Sequence, residues 1–215
     1  MIAKIAIAAA TVAGLSTAAT AADLIVDTPV ASAPAVSDWD GFYVGVFGGY
    51  AKGVLTTTDN LLPISPYDEN YEGYLLGVQG GYNFHITDNI VGGFSTDIAF
   101  NNAEADEPSY ALSIDWSGSA TARIGIEMGS VVPYVLGGIS AASASIKDMS
   151  VAPADQQVHA GYVLGVGGEV SLTENVSANV EYRYTNYGTK IYDLYNPTPA
   201  ELVDSSVRGG LNFRF

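Results

Sequence analysis

Residues 114–127 read IDWSGSATARIGIE, and the two parities of this stretch differ in chemistry. Ile114, Trp116, Gly118, Ala120, Ala122, Ile124 and Ile126 carry no charge, whereas Asp115, Ser117, Ser119, Thr121, Arg123, Gly125 and Glu127 supply hydroxyls, charges and space. Successive side chains fall on opposite faces only in an extended chain, so the stretch reads as a β-strand with one apolar and one polar face. It is also long enough for a membrane, since a tilted strand crosses a bilayer in ~9 to 11 residues.

The same alternation recurs along the chain. Tyr74, Leu76, Val78, Gly80, Tyr82 and Phe84 share one parity, as do Ile90, Gly92, Phe94, Thr96, Ile98 and Phe100, and again Val176, Ala178, Val180, Tyr182 and Tyr184. Period-two patterning and turn residues predict eight strands, at about residues 42–50, 73–84, 90–101, 111–127, 132–146, 158–172, 176–187 and 205–215. The first and fifth carry the weakest pattern, because GFYVGVFGGY and VPYVLGGISAAS are small or apolar on both parities.

The connections alternate as well. HITDN, MGSV and TEN are short, whereas the other four links run over residues 51–72, 102–110, 147–157 and 188–204. An up-and-down meander then has every tight turn at one end and every long loop at the other. Bacterial transmembrane barrels have this asymmetry, with the short turns in the periplasm.

Alternation alone leaves open which way the apolar face points, and a soluble lipocalin-like cup would turn it inward. A soluble exterior carries many mid-strand lysines and glutamates, but the polar parity here is mostly Gly, Ser, Thr and Asn. Tyr50, Tyr74, Tyr82, Phe84, Tyr134, Tyr162, Tyr184, Phe213 and Phe215 crowd toward strand ends, where the two aromatic girdles of a membrane barrel sit. The fold class expected is therefore all-β, an eight-stranded antiparallel up-and-down transmembrane β-barrel over residues 41–215.

The first residues fix the compartment. MIAKIAIAAATVAGLSTAATAADL combines Lys4, an apolar run from Ile5 to Leu15 and small residues up to Ala22, the pattern of a secretory signal cleaved after Ala21 or Ala22. Residues 1–22 are thus expected to be removed, and residues 23–40, rich in Pro and Ala, to form a flexible tail. A formal net charge of −15 repels a phosphate backbone and argues against nucleic acid as a partner. The absence of cysteine removes disulfides and thiolate sites.

Eight strands enclose a space that side chains fill, so a wide pore is not expected. The inward parity carries Asp97, Asp115, Arg123, Glu127, Glu169, Glu181, Arg183, Arg208 and Arg214. Guanidinium and carboxylate groups in a small dry lumen stay charged only when paired and hydrogen-bonded, which points to a salt-bridge plug. A narrow, gated conductance lined by the same charges is the alternative.

Catalytic patterns are weak. His85 reads as a solvated turn residue, and His159, with Asp155 and several serines about it, has no supporting nucleophile motif. The Gly-Gly pairs beginning at 48, 80, 92, 137, 167 and 209 lie inside strands and open no helix, so they form no phosphate loop. Two distant histidines and no cysteine predict neither a transition-metal site nor a cofactor. Asp59, Asp68, Glu69, Glu72, Glu104, Asp106, Glu107, Asp155, Asp193, Glu201 and Asp204 fall in the long links. There they face solvent, or bridge through divalent cations to lipopolysaccharide phosphates.

WDGFYVGVFGGY at residues 39–50, GVGGEVSLTENVSANVEYRYTNYG at 165–188 and the closing GGLNFRF, behind a signal peptide and a Pro/Ala tail, resemble the small porin-like outer-membrane β-barrel family of α-proteobacteria. That family includes surface antigens and haemin-binding proteins. The resemblance implies a Gram-negative outer membrane, contacts with its lipid and lipopolysaccharide, and delivery by periplasmic chaperones and the barrel assembly machinery. It also implies that the terminal aromatics, Phe213 and Phe215, act as the assembly signal. Because the chain ends with its last strand, no appended periplasmic peptidoglycan-binding domain of the kind found in OmpA-like proteins is expected. Haemin capture would require a His or Tyr ligand on the outer side, for which His159, Tyr67, Tyr71, Tyr192 and Tyr195 are the candidates. The function expected is envelope support and surface presentation without enzymatic activity, with a narrow porin and a haemin-binding protein as alternatives.

Overall fold

A computed structural model describes residues 38–58, 66–107, 110–148, 155–193 and 197–215. The eight strands are Gly41–Thr58 (β1), Pro66–Thr87 (β2), Ile90–Glu107 (β3), Tyr110–Ile126 (β4), Val131–Asp148 (β5), Asp155–Ser171 (β6), Val176–Asp193 (β7) and Pro197–Arg214 (β8). Each is antiparallel to its neighbours, and β8 pairs with β1 to close the barrel. Through the membrane-spanning part each described strand pairs on both sides, which is what a membrane interior demands of a sheet. The expected signal segment 1–22, and the expected tail up to residue 37, lie outside the described residues.

The strands are longer than the sequence pattern suggested. β1 runs on to Thr58 and β2 begins at Pro66, while β3 and β4 are separated only by residues 108–109. The reason lies in what the outward parity meets. From Phe42 to Tyr50, Tyr74 to Phe84, Trp116 to Ile126 and Val207 to Phe215, the outward side chains are almost all apolar. Those spans match the ~9 to 11 residues that cross the hydrocarbon region. Above them the outward positions become Lys52, Asp68, Asn70, Glu72, Asn102 and Glu201, so period-two alternation of hydrophobicity ends while the ladder continues. About eight further residues of β1 and of β2, at ~3.3 Å each, carry roughly 26 Å of paired strand past the outer girdle.

Aromatic side chains mark both edges of the apolar band. Phe42 packs on Tyr82 with centroids 4.7 Å apart, and Phe84 on Phe94 at 6.0 Å, near the tight turns. Tyr50 meets Tyr74 edge-on at 5.4 Å on the opposite side. Phe215 is 74% exposed and Phe213 47% exposed, as a lipid-facing closing strand requires. Tyr134 departs from expectation. It is buried inside the barrel, because β5 turns Val135 and Ile139 outward and Tyr134 and Leu136 inward.

A bulge explains a second departure. In the β4–β5 ladder Ile114 pairs with Ala144 and Trp116 with Ser143, which leaves Asp115 as an extra residue. The extra residue reverses parity above that point. Asp115, expected in the lumen, is exposed and accepts a hydrogen bond from Ser145 Oγ at 3.4 Å, and Ile114, expected to face lipid, is buried inside. Similar register shifts lie at Phe100/Ala103 in β3 and Asn186/Thr189 in β7, the last containing Gly188 at a φ of 69°. Bulges near a barrel rim bend and twist the wall there.

Candidate functional site

The inward side chains stack in three levels. Nearest the tight turns, Trp39, Val91 and Val132 cluster, with Trp39 wholly buried. Asp38–Asp40 therefore belong to the packed structure and not to the expected tail. Trp39 Nε1 donates to the Gly129 carbonyl at 3.3 Å, and the Arg214 guanidinium lies 4.4 Å from the Trp39 ring centroid. Arg214 also donates to the Asp38 carbonyl at 2.7 Å and to Ser171 Oγ at 3.2 Å. Ring stacking and the oxygen acceptors offset part of the desolvation of this guanidinium.

The middle level is the charged one, and it falls into two linked groups. Arg183 donates through Nη1 to Asp97 Oδ2 at 2.8 Å and through Nε to Glu181 Oε2 at 2.7 Å. Arg208 donates to the other oxygen of Asp97 at 3.1 Å, Tyr134 Oη to Glu181 Oε1 at 2.7 Å, and Ser119 Oγ to Asp97 Oδ2. In the second group Arg123 contacts Glu169 Oε2 at 2.8 Å and donates to Asn83 Oδ1 at 3.1 Å. Glu169 Oε1 accepts from Ser177 Oγ at 2.5 Å and from Asn212 Nδ2 at 2.9 Å, and Gln79 donates to Asn212 Oδ1 at 2.6 Å. Three arginines thus face three carboxylates. Residues of β2 to β8 make these bonds, while β1 supplies the rings of Phe47, under Arg208, and Tyr43, under Arg123.

The sequence reading missed what makes room for these cations. Each of the three arginines stands directly across a ladder from a glycine: Arg208 from Gly49, Arg123 from Gly93 and Arg183 from Gly165. A Cβ on any of these glycines would come within 3.2 to 3.3 Å of the arginine Cγ. Asn212 faces Gly45, and Glu181 faces Gly167, in the same manner. The signal was present in the Gly-Gly pairs: of Gly48–Gly49 and Gly92–Gly93, the second residue is the inward one, and the partner strand carries Arg at that level.

The outermost level mixes apolar clusters with a few buried polar groups. Phe47, Ala51, Leu75 and Ala99 form one cluster, and beyond it Leu55, Tyr71 and Leu202 are all buried. Tyr71 lies against Gly53 and directs its hydroxyl at the Val203 carbonyl, 3.5 Å away. Asp204, expected in an outer link, is instead buried in this part of the interior.

Three of the nine expected lumen residues stand apart from the charged level: Asp115 lies outside at the bulge, Arg214 lies beneath at Trp39, and Glu127 is the third. Glu127 sits at the tight-turn rim, where Oε2 is 2.6 Å from His85 Nε2. His85 is consequently no solvated turn residue, since Nδ1 is also 2.7 Å from Asp40 Oδ1. Of the haemin-ligand positions, His159 and Tyr71 are buried within the barrel and present no ligand atom to the outside. Tyr67 and Tyr192 lie at the outer ends of β2 and β7, where only the backbone is described, and Tyr195 lies outside the described residues.

A closed eight-stranded barrel with an apolar belt and a charged, filled lumen invites comparison with known envelope proteins. The family model described as outer membrane protein beta-barrel domain matches residues 7–215. The chain belongs to this family. It is 32% identical over 206 residues to the 25 kDa outer-membrane immunogenic protein of Brucella abortus biovar 1 (strain 9-941), covering 93% of this chain and 92% of that one. It is 28% identical to the 22 kDa outer membrane protein of Rhizobium leguminosarum bv. viciae, over 82% of this chain and 78% of the relative. Among solved structures it resembles Neisserial surface protein A with a TM-score of 0.51 and 19% identity, over 81% of this chain and 97% of that one, a likeness of fold. The apolar belt is therefore the lipid-facing surface of an integral outer-membrane protein, and the tight turns lie on the periplasmic side.

Proposed function

We propose that this outer-membrane barrel is a non-conducting envelope protein that supports the membrane and presents an acidic outer rim to the surroundings, as an antigen or adhesin does. The observation that carries the proposal is the closed lumen. Three arginines and three carboxylates join across it, the Leu55, Tyr71 and Leu202 side chains lie outside them, and Trp39 lies beneath them. Ions entering such a path would have to replace bonds that already satisfy buried charges. Surface presentation draws support from the strands that continue beyond the outer girdle, and from the Brucella relatives, which are named outer-membrane immunogenic proteins. The wall faces lipid and lipopolysaccharide, and Phe213 and Phe215 supply the strand-end signal read by the assembly machinery.

The experiment is a planar-bilayer recording of purified, refolded protein. We expect no stable conductance steps. Reproducible unitary steps that disappear when protein is withheld overturn this reading in favour of the narrow porin. Titration of folded protein with haemin is expected to leave the Soret band unshifted, and a saturable shift would restore the haemin reading.

A further inference from the structure

On the periplasmic floor, outside the lumen network, a second group of charged side chains converges from three parts of the chain. Asp38 and Asp40 precede β1, His85 stands near the end of β2, and Glu127 follows β4. One ligand atom from each of Asp38, Asp40 and His85 lies within 4.8 Å of the others. We propose that Asp38, Asp40 and His85 form a site for a single Zn²⁺ ion, which fastens the segment bearing Trp39 onto the barrel floor. The inference is independent of whether the lumen conducts.

The two aspartates are held in place from elsewhere. Burial of Trp39 fixes the residue between them, Arg214 grips the Asp38 carbonyl at 2.7 Å, and the Asp40 amide donates to Asp38 Oδ1 at 3.1 Å. The imidazole is oriented from its far side, since Glu127 Oε2 lies 2.6 Å from Nε2. A carboxylate on one ring nitrogen with the other nitrogen turned to a cation is the arrangement that orients zinc-bound histidines. Nδ1 and Asp40 Oδ1 are now 2.7 Å apart. Tetrahedral ligands at ~2.0 to 2.1 Å from zinc stand roughly 3.3 Å from one another, an opening that rotation of the exposed Asp40 side chain provides.

Charge and donor type select the ion. Asp38, Asp40 and Glu127 bring three negative charges, against which an imidazolium and the Arg214 guanidinium supply two positive ones. A divalent ion on a neutral imidazole, with Arg214, balances them. One imidazole nitrogen with two carboxylates, and water in the fourth position, suits Zn²⁺, whereas Mg²⁺ and Ca²⁺ favour all-oxygen shells. The sequence reading expected no such site because the two histidines are far apart. A single histidine suffices once Trp39 folds the two aspartates beneath the barrel.

The test uses untagged, refolded, chelator-stripped protein in detergent micelles, titrated with zinc chloride by calorimetry and by the fluorescence of Trp39 in a Trp116→Phe background. The expected result is saturation at one Zn²⁺ per chain with a change in Trp39 emission. Binding should weaken at least tenfold in His85→Ala and Asp40→Asn, and ~10-fold or more in Glu127→Gln, whose parent carboxylate only orients the ring. Absence of saturable binding by the unsubstituted protein overturns the proposal. So does equal binding by His85→Ala protein that still shows the heat-shifted mobility of a folded barrel, or Mg²⁺ binding as tightly as Zn²⁺. In the last two cases the carboxylates hold a cation without the imidazole, and in the first the cluster is an ion-paired latch.

Discussion

Arg183 of β7 and Asp97 of β3 meet in the middle of the barrel, 2.8 Å apart, although 86 residues separate them in sequence. Both side chains are almost completely buried, and Asp97 also accepts from Arg208. Removing the carboxylate leaves two guanidinium groups facing each other away from water. Asp97→Ala is therefore expected to destabilise the barrel by about 3 to 5 kcal/mol, read as a lower midpoint of urea unfolding in micelles. Lys52→Ala, which breaks the exposed pair with Glu72, should change the midpoint by no more than about 1 kcal/mol. Equal effects of the two substitutions would contradict a closed lumen.

The glycines opposite the arginines make a steric prediction. A methyl group at Gly49, Gly93 or Gly165 meets both the arginine stem and neighbouring backbone or side-chain atoms, whereas nothing lies within 4 Å of a Cβ added at Gly168. Alanine at each of the first three positions is expected to cost about 1 to 3 kcal/mol, the range for overpacking, and Gly168→Ala to leave the unfolding midpoint near that of the parent. Urea titrations of the four variants provide the comparison.

The two tryptophans report on opposite environments. Trp39 is enclosed at the periplasmic floor, and Trp116 sits on the outward face at the outer edge of the apolar band. In liposomes containing brominated lipid, Trp39→Phe protein, which retains Trp116, should be strongly quenched. Trp116→Phe protein, which retains Trp39, should be quenched little. Similar quenching of both would place the Trp39 segment in lipid and contradict its burial.

Deletion of Phe215 separates two roles of the last residue. Its ring packs edge-on to Phe213 at 5.3 Å and its amide donates to the Phe42 carbonyl at 3.0 Å, so the folded barrel loses one contact at the seam. Refolding of the deleted chain in detergent is expected to succeed, with heat-shifted mobility in SDS, while its amount in the outer membrane of cells falls severalfold. Normal amounts in cells would leave Phe215 as a girdle residue alone.

The lipid-facing half of the structure was legible in the sequence because lipid imposes a sharp contrast. Ile124, Val180 and Leu211 alternate with Arg123, Glu181 and Asn212, and the scarcity of lysine and glutamate on the polar parity tells a lipid-facing wall from a soluble cup. Above the membrane the contrast disappears: Lys52 faces water and Gly53 faces a tyrosine, so the continuation of β1 reads as a loop. The Asp115 bulge was invisible for a related reason, since a one-residue insertion moves Ile114 inward without disturbing local composition. Pairing partners were also out of reach. Parity points Asp97, Arg123, Glu169, Glu181, Arg183 and Arg208 inward, but which arginine meets which carboxylate is set by barrel closure between residues 86 and 111 positions apart. The Pro- and Ala-rich residues before Trp39 make it read as part of a flexible tail, although its ring is buried at the barrel floor.

The matching of arginines to glycines also bears on how the barrel closes. At the β1–β8 seam Arg208 lies opposite Gly49, and a slip of two residues, the smallest that keeps every side chain on its proper face, would set it opposite Phe47 or Ala51. Neither leaves space for the stem of a guanidinium. The glycine therefore serves as an alignment mark, which gives the closing strand one position against the first.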